Sequence, residues 1–114
     1  MKHHDMKALM HLLTYIEKIE SYVHQTHDYE TFSENNLLVD AVVFNLMQIG
    51  ETAHKLFSIE FKLKYHIIPW HALYGLRNRI VHNYDNVDIK TVYEVITNDL
   101  IELRIKLLSI KKST

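Results

Sequence analysis

Only two glycines and one proline punctuate these 114 residues, and between them apolar side chains return at steps of three and four. So little turn chemistry leaves no room for a succession of strands and hairpins, whereas that spacing aligns one face of a helix. An all-α chain is therefore expected. In a first helix over about residues 5–27, Met6, Leu9, Leu13, Ile16, Ile19 and Val23 share a stripe, with Lys7, Glu17, Lys18 and Gln25 elsewhere. The stretch THDYETFSEN reads as a polar connector, and Ser33 or Asn35 can cap the helix after it.

A second helix is expected over about residues 36–57. Its first half, LLVDAVVFNLMQIG, is apolar nearly all round, the pattern of a central helix buried on most faces. Asn45, Gln48 and Thr52 share one face of it, with Glu51 beside them. On a buried helix such a stripe serves bonded core polar groups or a subunit interface before it supports a reaction site. A third helix begins at IIPWHALYGLRNRIVH, with Pro69 at the first helical position, where its missing N–H has no partner to lose. Trp70, Leu73, Leu76 or Arg77, and Ile80 or Val81 carry its period. NYDNVD is a tight polar link, and Asp88 caps a fourth helix over about 89–110 carrying Val92, Val95 or Ile96, Leu100, Leu103 and Leu107. The expected architecture is four antiparallel helices in a single domain, residues 1–114.

A hydrophobic fraction of 47% with 24% charged residues is that of a chain that folds. At this length the stability margin is on the order of 5–15 kcal/mol, so burial against a second copy is a useful addition. A formal charge of −1 excludes a broad electrostatic grip on nucleic acid, and any phosphate contact must come from a local cluster. The absence of cysteine excludes disulfides, thiolate zinc sites and cysteine nucleophiles. MKHHDMKALMHLL does not read as a signal peptide, and no apolar run approaches the roughly 18–20 residues of a membrane span, so a soluble cytoplasmic protein is expected. Among nine histidines, the pairs His3–His4, His24–His27 and His66–His71 lack carboxylates at ligand spacing, so neither a metal nor another cofactor is expected. Trp70 and Tyr74 are read first as core aromatics and only second as a base-stacking pair.

GLRNRIVHNY, residues 75–84, gathers two arginines, two asparagines, a histidine and a tyrosine at the end of the third helix. Asn78 and His82, four apart, share a face. Arg77 and His82, five apart, lie about 140° apart on a regular helix. They meet only if the helix unwinds near 82 or if a second subunit brings its own copy across. An arginine fork matches phosphate oxygens, and an imidazole moves protons near neutral pH. Together they suit metal-free cleavage of RNA through the 2′-hydroxyl. The same residues also suit a helix C-terminus, bonding its free carbonyls and meeting its dipole, and spacing does not separate the two readings.

Arg77-Asn78 followed by His82-Asn83-Tyr84 resembles the R-(N/D/H)-x(3–5)-H motif of the HEPN superfamily, in the R-x4-H-x-Y form of HepT-like toxins. DAVVFNLMQIGETAHKL and IPWHALYGLRNRIVHNYDNVD resemble that family's second helix and its loop-helix-turn segment. The resemblance implies a homodimeric four-helix HEPN bundle whose two motifs line one cleft. It implies a metal-independent endoribonuclease toxin of a type VII-like toxin–antitoxin system, with Arg77, Asn78 and His82 as the catalytic positions. The implied partners are an RNA substrate and a minimal nucleotidyltransferase antitoxin of the MntA type, which transfers AMP from ATP to Tyr84. A non-catalytic HEPN module that binds RNA, a nucleotide or a partner protein is the alternative. A helical dimer whose motif only caps the third helix is the remaining one.

Overall fold

The computed structural model describes residues 2–82 and 87–114, with positions 81 and 82 given by their backbone alone. All regular structure among the described residues is helical. In chain order the elements are α1 (His3–Val23), α2 (Tyr29–Glu34), α3 (Asn36–Lys55), α4 (Ile59–Lys64), α5 (Trp70–His82), α6 (Ile89–Glu94), a π-helical turn (Val95–Asp99) and α7 (Leu100–Lys112). The link expected at NYDNVD falls largely on residues 83–86, outside the described residues. Among the described residues no helix is long and apolar enough to cross a membrane.

The central position of α3 follows from its apolar circumference. Leu38, Val39, Val42, Val43, Leu46, Ile49 and Ala53 are all buried, and the helix packs against α1 on one side and α5 on another. Of its buried polar side chains, Asn45 is settled within the helix: its amide donates to the Ala41 carbonyl at 2.8 Å. Asn35, not Ser33, is the cap, accepting from the Leu38 N–H at 3.0 Å. The α1 stripe gains Leu12 and Ala8, while Met6 and Val23 lie at its half-buried margin. α7 closes against α1.

Two six-residue helices were not expected, one within the stretch read as a polar connector and one between the second and third expected helices. α2 starts at Asp28, whose carboxylate accepts from the Thr31 N–H at 2.8 Å, and it buries a single anchor, Phe32, against Tyr93. α4 starts at Ser58 and buries Phe61 against Phe57. One buried apolar residue per helix leaves no period to read, so each depends on its cap and on tertiary contact. Pro69 precedes α5 instead of opening it; its carbonyl accepts from the Leu73 N–H at 3.0 Å. Asp88 caps α6 as expected, accepting from Lys90 and Thr91. The fourth predicted helix is interrupted by the π turn, a wider coil that suits the successive four-residue steps from Val92 to buried Ile96 and buried Leu100.

Among the described residues Asp5 is the one carboxylate buried with the core, 1% exposed, and it joins the start of α1 to the start of α4. It accepts from both the N–H and the hydroxyl of Ser58, each at 2.7 Å. Burial alone pushes this carboxyl up; the two Ser58 bonds outweigh it and hold the group below its ordinary value. A depressed carboxylate contributes stability that is present above its unfolded pKa, about 3.9, and is lost as pH falls through the folded value. Asp5→Ala takes the acceptor from two half-buried Ser58 donors and is expected to cost about 1–3 kcal/mol in a urea titration at pH 7. The difference between wild type and variant should shrink in titrations below about pH 4.

Candidate functional site

The site is set by where α5 crosses α3. A methyl group built on Gly50 would stand 2.3 Å from Arg77 Cβ and 3.0 Å from the Leu73 carbonyl oxygen. Only a glycine allows the backbones this approach, and the approach roots Arg77 against α3. The next residue, Glu51, then lies beside the guanidinium. Arg77 Nε donates to Glu51 Oε1. Lys55 Nζ sits 2.8 Å from Glu51 Oε2, one turn along α3. The Lys55 ammonium first, and then Arg77, hold the Glu51 carboxyl below its ordinary range against the opposing effect of burial. Arg77 also donates from Nη1 to Asn78 Oδ1 at 2.8 Å.

These bonds leave the arginine directed yet not saturated. A guanidinium carries five N–H donors, and the described residues engage Nε and one Nη1 hydrogen. Its side chain is 23% exposed. Arg77 and Asn78 are thus brought together, and the described bonds of Arg77 run to α3 and to its neighbour, not to carbonyls at the end of α5. The backbone of α5 is helical through His82, so positions 77 and 82 lie about 140° apart around its axis. The side chain of His82 and the whole of Tyr84 lie outside the described residues.

Periodicity and spacing did not reveal the Glu51–Arg77 pair. Its signal was a carboxylate on the polar stripe of a mostly buried helix, but a separation of 26 residues cannot be bridged without knowing how the helices cross. Nor did they separate Trp70 from Tyr74, which have different roles. Trp70 packs on Phe57 and Phe61, with its indole N–H donated to the Tyr65 carbonyl at 3.2 Å. Tyr74, one turn before Arg77, lies flat against His54, with centroids 3.7 Å apart and planes 17° from parallel.

A groove of about 320 Å³ lies elsewhere, between α3, α5 and the π turn with α7. Leu46, Ile49, Leu73 and Leu103 give it apolar walls, and Arg79, Lys106, Asp99 and Glu102 balance one another around it. Neither Arg77 nor Asn78 lines it. An apolar floor ringed by as many acidic as basic side chains does not suit a phosphodiester.

Known proteins resemble this chain over most of its length. A family model described as "Ribonuclease HepT-like" matches residues 12–110. A "Putative RNase" of Methanocaldococcus jannaschii is 33% identical over 101 residues, 88% of this chain and 85% of that protein. A "Probable ribonuclease HepT" of Thermococcus cleftensis is 29% identical over 97 residues, covering 85% of this chain and 86% of the relative. A "Gamma-glutamylcyclotransferase and putative RNase" of M. jannaschii is 34% identical over 102 residues, 90% of this chain; the chain spans only 45% of that longer protein. No solved structure matches the chain.

Gly50→Ala tests the crossing. Alanine favours the helix by about 1 kcal/mol, but its methyl meets a backbone carbonyl and the root of Arg77, neither of which can turn away. Overpacking of this kind costs about 1–3 kcal/mol, so a net loss of stability is expected in chemical denaturation, whereas a stabilised variant would contradict the close approach.

Proposed function

This chain belongs to the HepT-like ribonuclease family, and on that ground we propose that it is a metal-independent endoribonuclease toxin acting as a homodimer of four-helix bundles. The observation that carries the reading is Arg77, fastened to α3 through Glu51 with further N–H donors left to meet a phosphate. Arg77 binds the scissile phosphate and meets the charge that builds on its oxygens in the transition state. His82 moves protons. The RNA 2′-oxygen bonds to phosphorus and gives its proton to an imidazole, the bond from phosphorus to the 5′-oxygen breaks, and that oxygen takes up a proton. Asn78 orients Arg77 through its side-chain oxygen. The 140° between positions 77 and 82 favours a site assembled from two copies, each supplying what the other lacks at one phosphate.

Purified wild type, Arg77→Ala and His82→Ala incubated with RNA and a chelator provide the test. Wild type is expected to cut RNA and leave DNA whole, and each variant should lose about 10²-fold or more in rate. Equal cleavage by all three removes these residues from the mechanism. RNA retained without scission by the wild type would make the protein a binding module.

Regulation is proposed at Tyr84. A nucleotidyltransferase antitoxin of the MntA type would transfer AMP from ATP, the phenolic oxygen displacing pyrophosphate from the α-phosphorus. The phosphate of the added adenylyl group brings negative charge that opposes an incoming RNA phosphate. Mixed with that partner and ATP, the protein is expected to gain adenylyl mass on Tyr84 and lose ribonuclease activity; label found only on other residues contradicts the assignment.

A further inference from the structure

We propose that the stacked pair His54–Tyr74 is a base-binding subsite for single-stranded RNA, placed one helical turn from Arg77. The inference rests on the ribonuclease reading for its ligand, and on the crossing of α3 and α5 for its place. Tyr74 precedes Arg77 by three residues on α5, and His54 comes three after Glu51 on α3. The ion pair and the ring pair are therefore successive rungs across the same two helices, about 4.5 Å apart along the axis. A nucleotide whose phosphate lies on Arg77 has its own base or its neighbour's within reach of the rings.

The rings themselves are suited to that use. Aromatic pairs take offset-stacked or edge-on arrangements, and the core pair Phe57 and Trp70 is tilted at 56°, which leaves no flat face to solvent. His54 and Tyr74 instead lie nearly parallel, and His54 is exposed, so its outer face is open to a third ring. The pair is already ordered, which lowers the entropy lost when a base adds to it. Local charge agrees. Lys62 Nζ donates to the His54 carbonyl at 2.9 Å and stands 5.7 Å from the Trp70 ring, and Lys55 is the next residue after His54. The carboxylates nearby are occupied, Glu51 by Arg77 and Lys55, and Glu60 by Lys2 at 2.8 Å. In a chain of net charge −1, this is the kind of local cluster that contact with a nucleic acid backbone requires.

The test uses an RNA carrying 2′-deoxyribose at the scissile position, so that it binds without being cut, and a second RNA with abasic sites flanking that position. Affinities for wild type, His54→Ala, His54→Phe and Tyr74→Ala are measured by fluorescence anisotropy, with melting temperatures alongside. His54→Ala is expected to weaken binding of the intact strand roughly tenfold, His54→Phe to keep most of it, and the abasic strand to erase the difference from wild type. Equal affinities on the intact strand, or an equal loss on both strands, overturns the subsite. Stack-dependent binding with no cleavage of all-ribose RNA would leave the subsite standing while the ribonuclease reading fails. Cleavage with no stack dependence does the reverse, and no RNA binding at all ends both.

Discussion

The close approach of two backbones at Gly50 governs the rest of this structure. A side chain there would displace α5 from α3, and with it the root of Arg77. Because the helices touch at that point, Glu51 meets the guanidinium and, one turn away, His54 meets Tyr74. A single missing methyl group thus aligns an ion pair and an aromatic pair along one seam. Packing is the cause, and the polar contacts are its consequence.

The ion pair has a cost that its setting moderates. An arginine fully surrounded by carboxylate would have little attraction left for phosphate, whereas one left to solvent would lose entropy on being ordered. Glu51 is shared between Arg77 and Lys55, so its negative charge is divided over two cations. The Arg77 and Glu51 side chains are 23% and 27% exposed, which keeps desolvation modest and leaves the arginine accessible. Holding Nε through Glu51 and Nη1 through Asn78 fixes the plane of the guanidinium before any ligand arrives. Pre-ordering of this kind is how a binding or reacting group avoids reorganisation when charge develops.

Asp5 illustrates the same economy just past the C-terminal end of α3. A buried carboxylate is unfavourable until its donors are in place, and Ser58 supplies two while also capping α4 through its hydroxyl, 3.1 Å from the Phe61 N–H. The short helix α4 therefore depends on α1 for its start and on the Phe57–Phe61–Trp70 aromatic group for its seat. That group fixes where α5 begins, and so sets the height at which Tyr74 and Arg77 face α3.

Much of this was legible from residue order alone, because helical periodicity and capping are local. The stripes of α1 and of the α6–α7 run, the apolar girth of α3, and the caps Asn35 and Asp88 come from residues a few positions apart. So does the motif holding Arg77 and Asn78, whose neighbours in sequence carry the family resemblance. The helices α2 and α4 were hidden, since one buried phenylalanine apiece makes no period. The π turn was hidden as well, since four-residue steps also fit an ordinary helix within its scatter. Glu51 as the partner of Arg77, and His54 as the partner of Tyr74, emerge only when α3 and α5 cross. Gly50, by itself a weak point in a helix, gains its purpose from that crossing. Residue order specifies which faces are apolar and which ends are capped; pairings 20 or more positions apart depend on the distance and angle at which those faces meet, and here a missing side chain sets that distance.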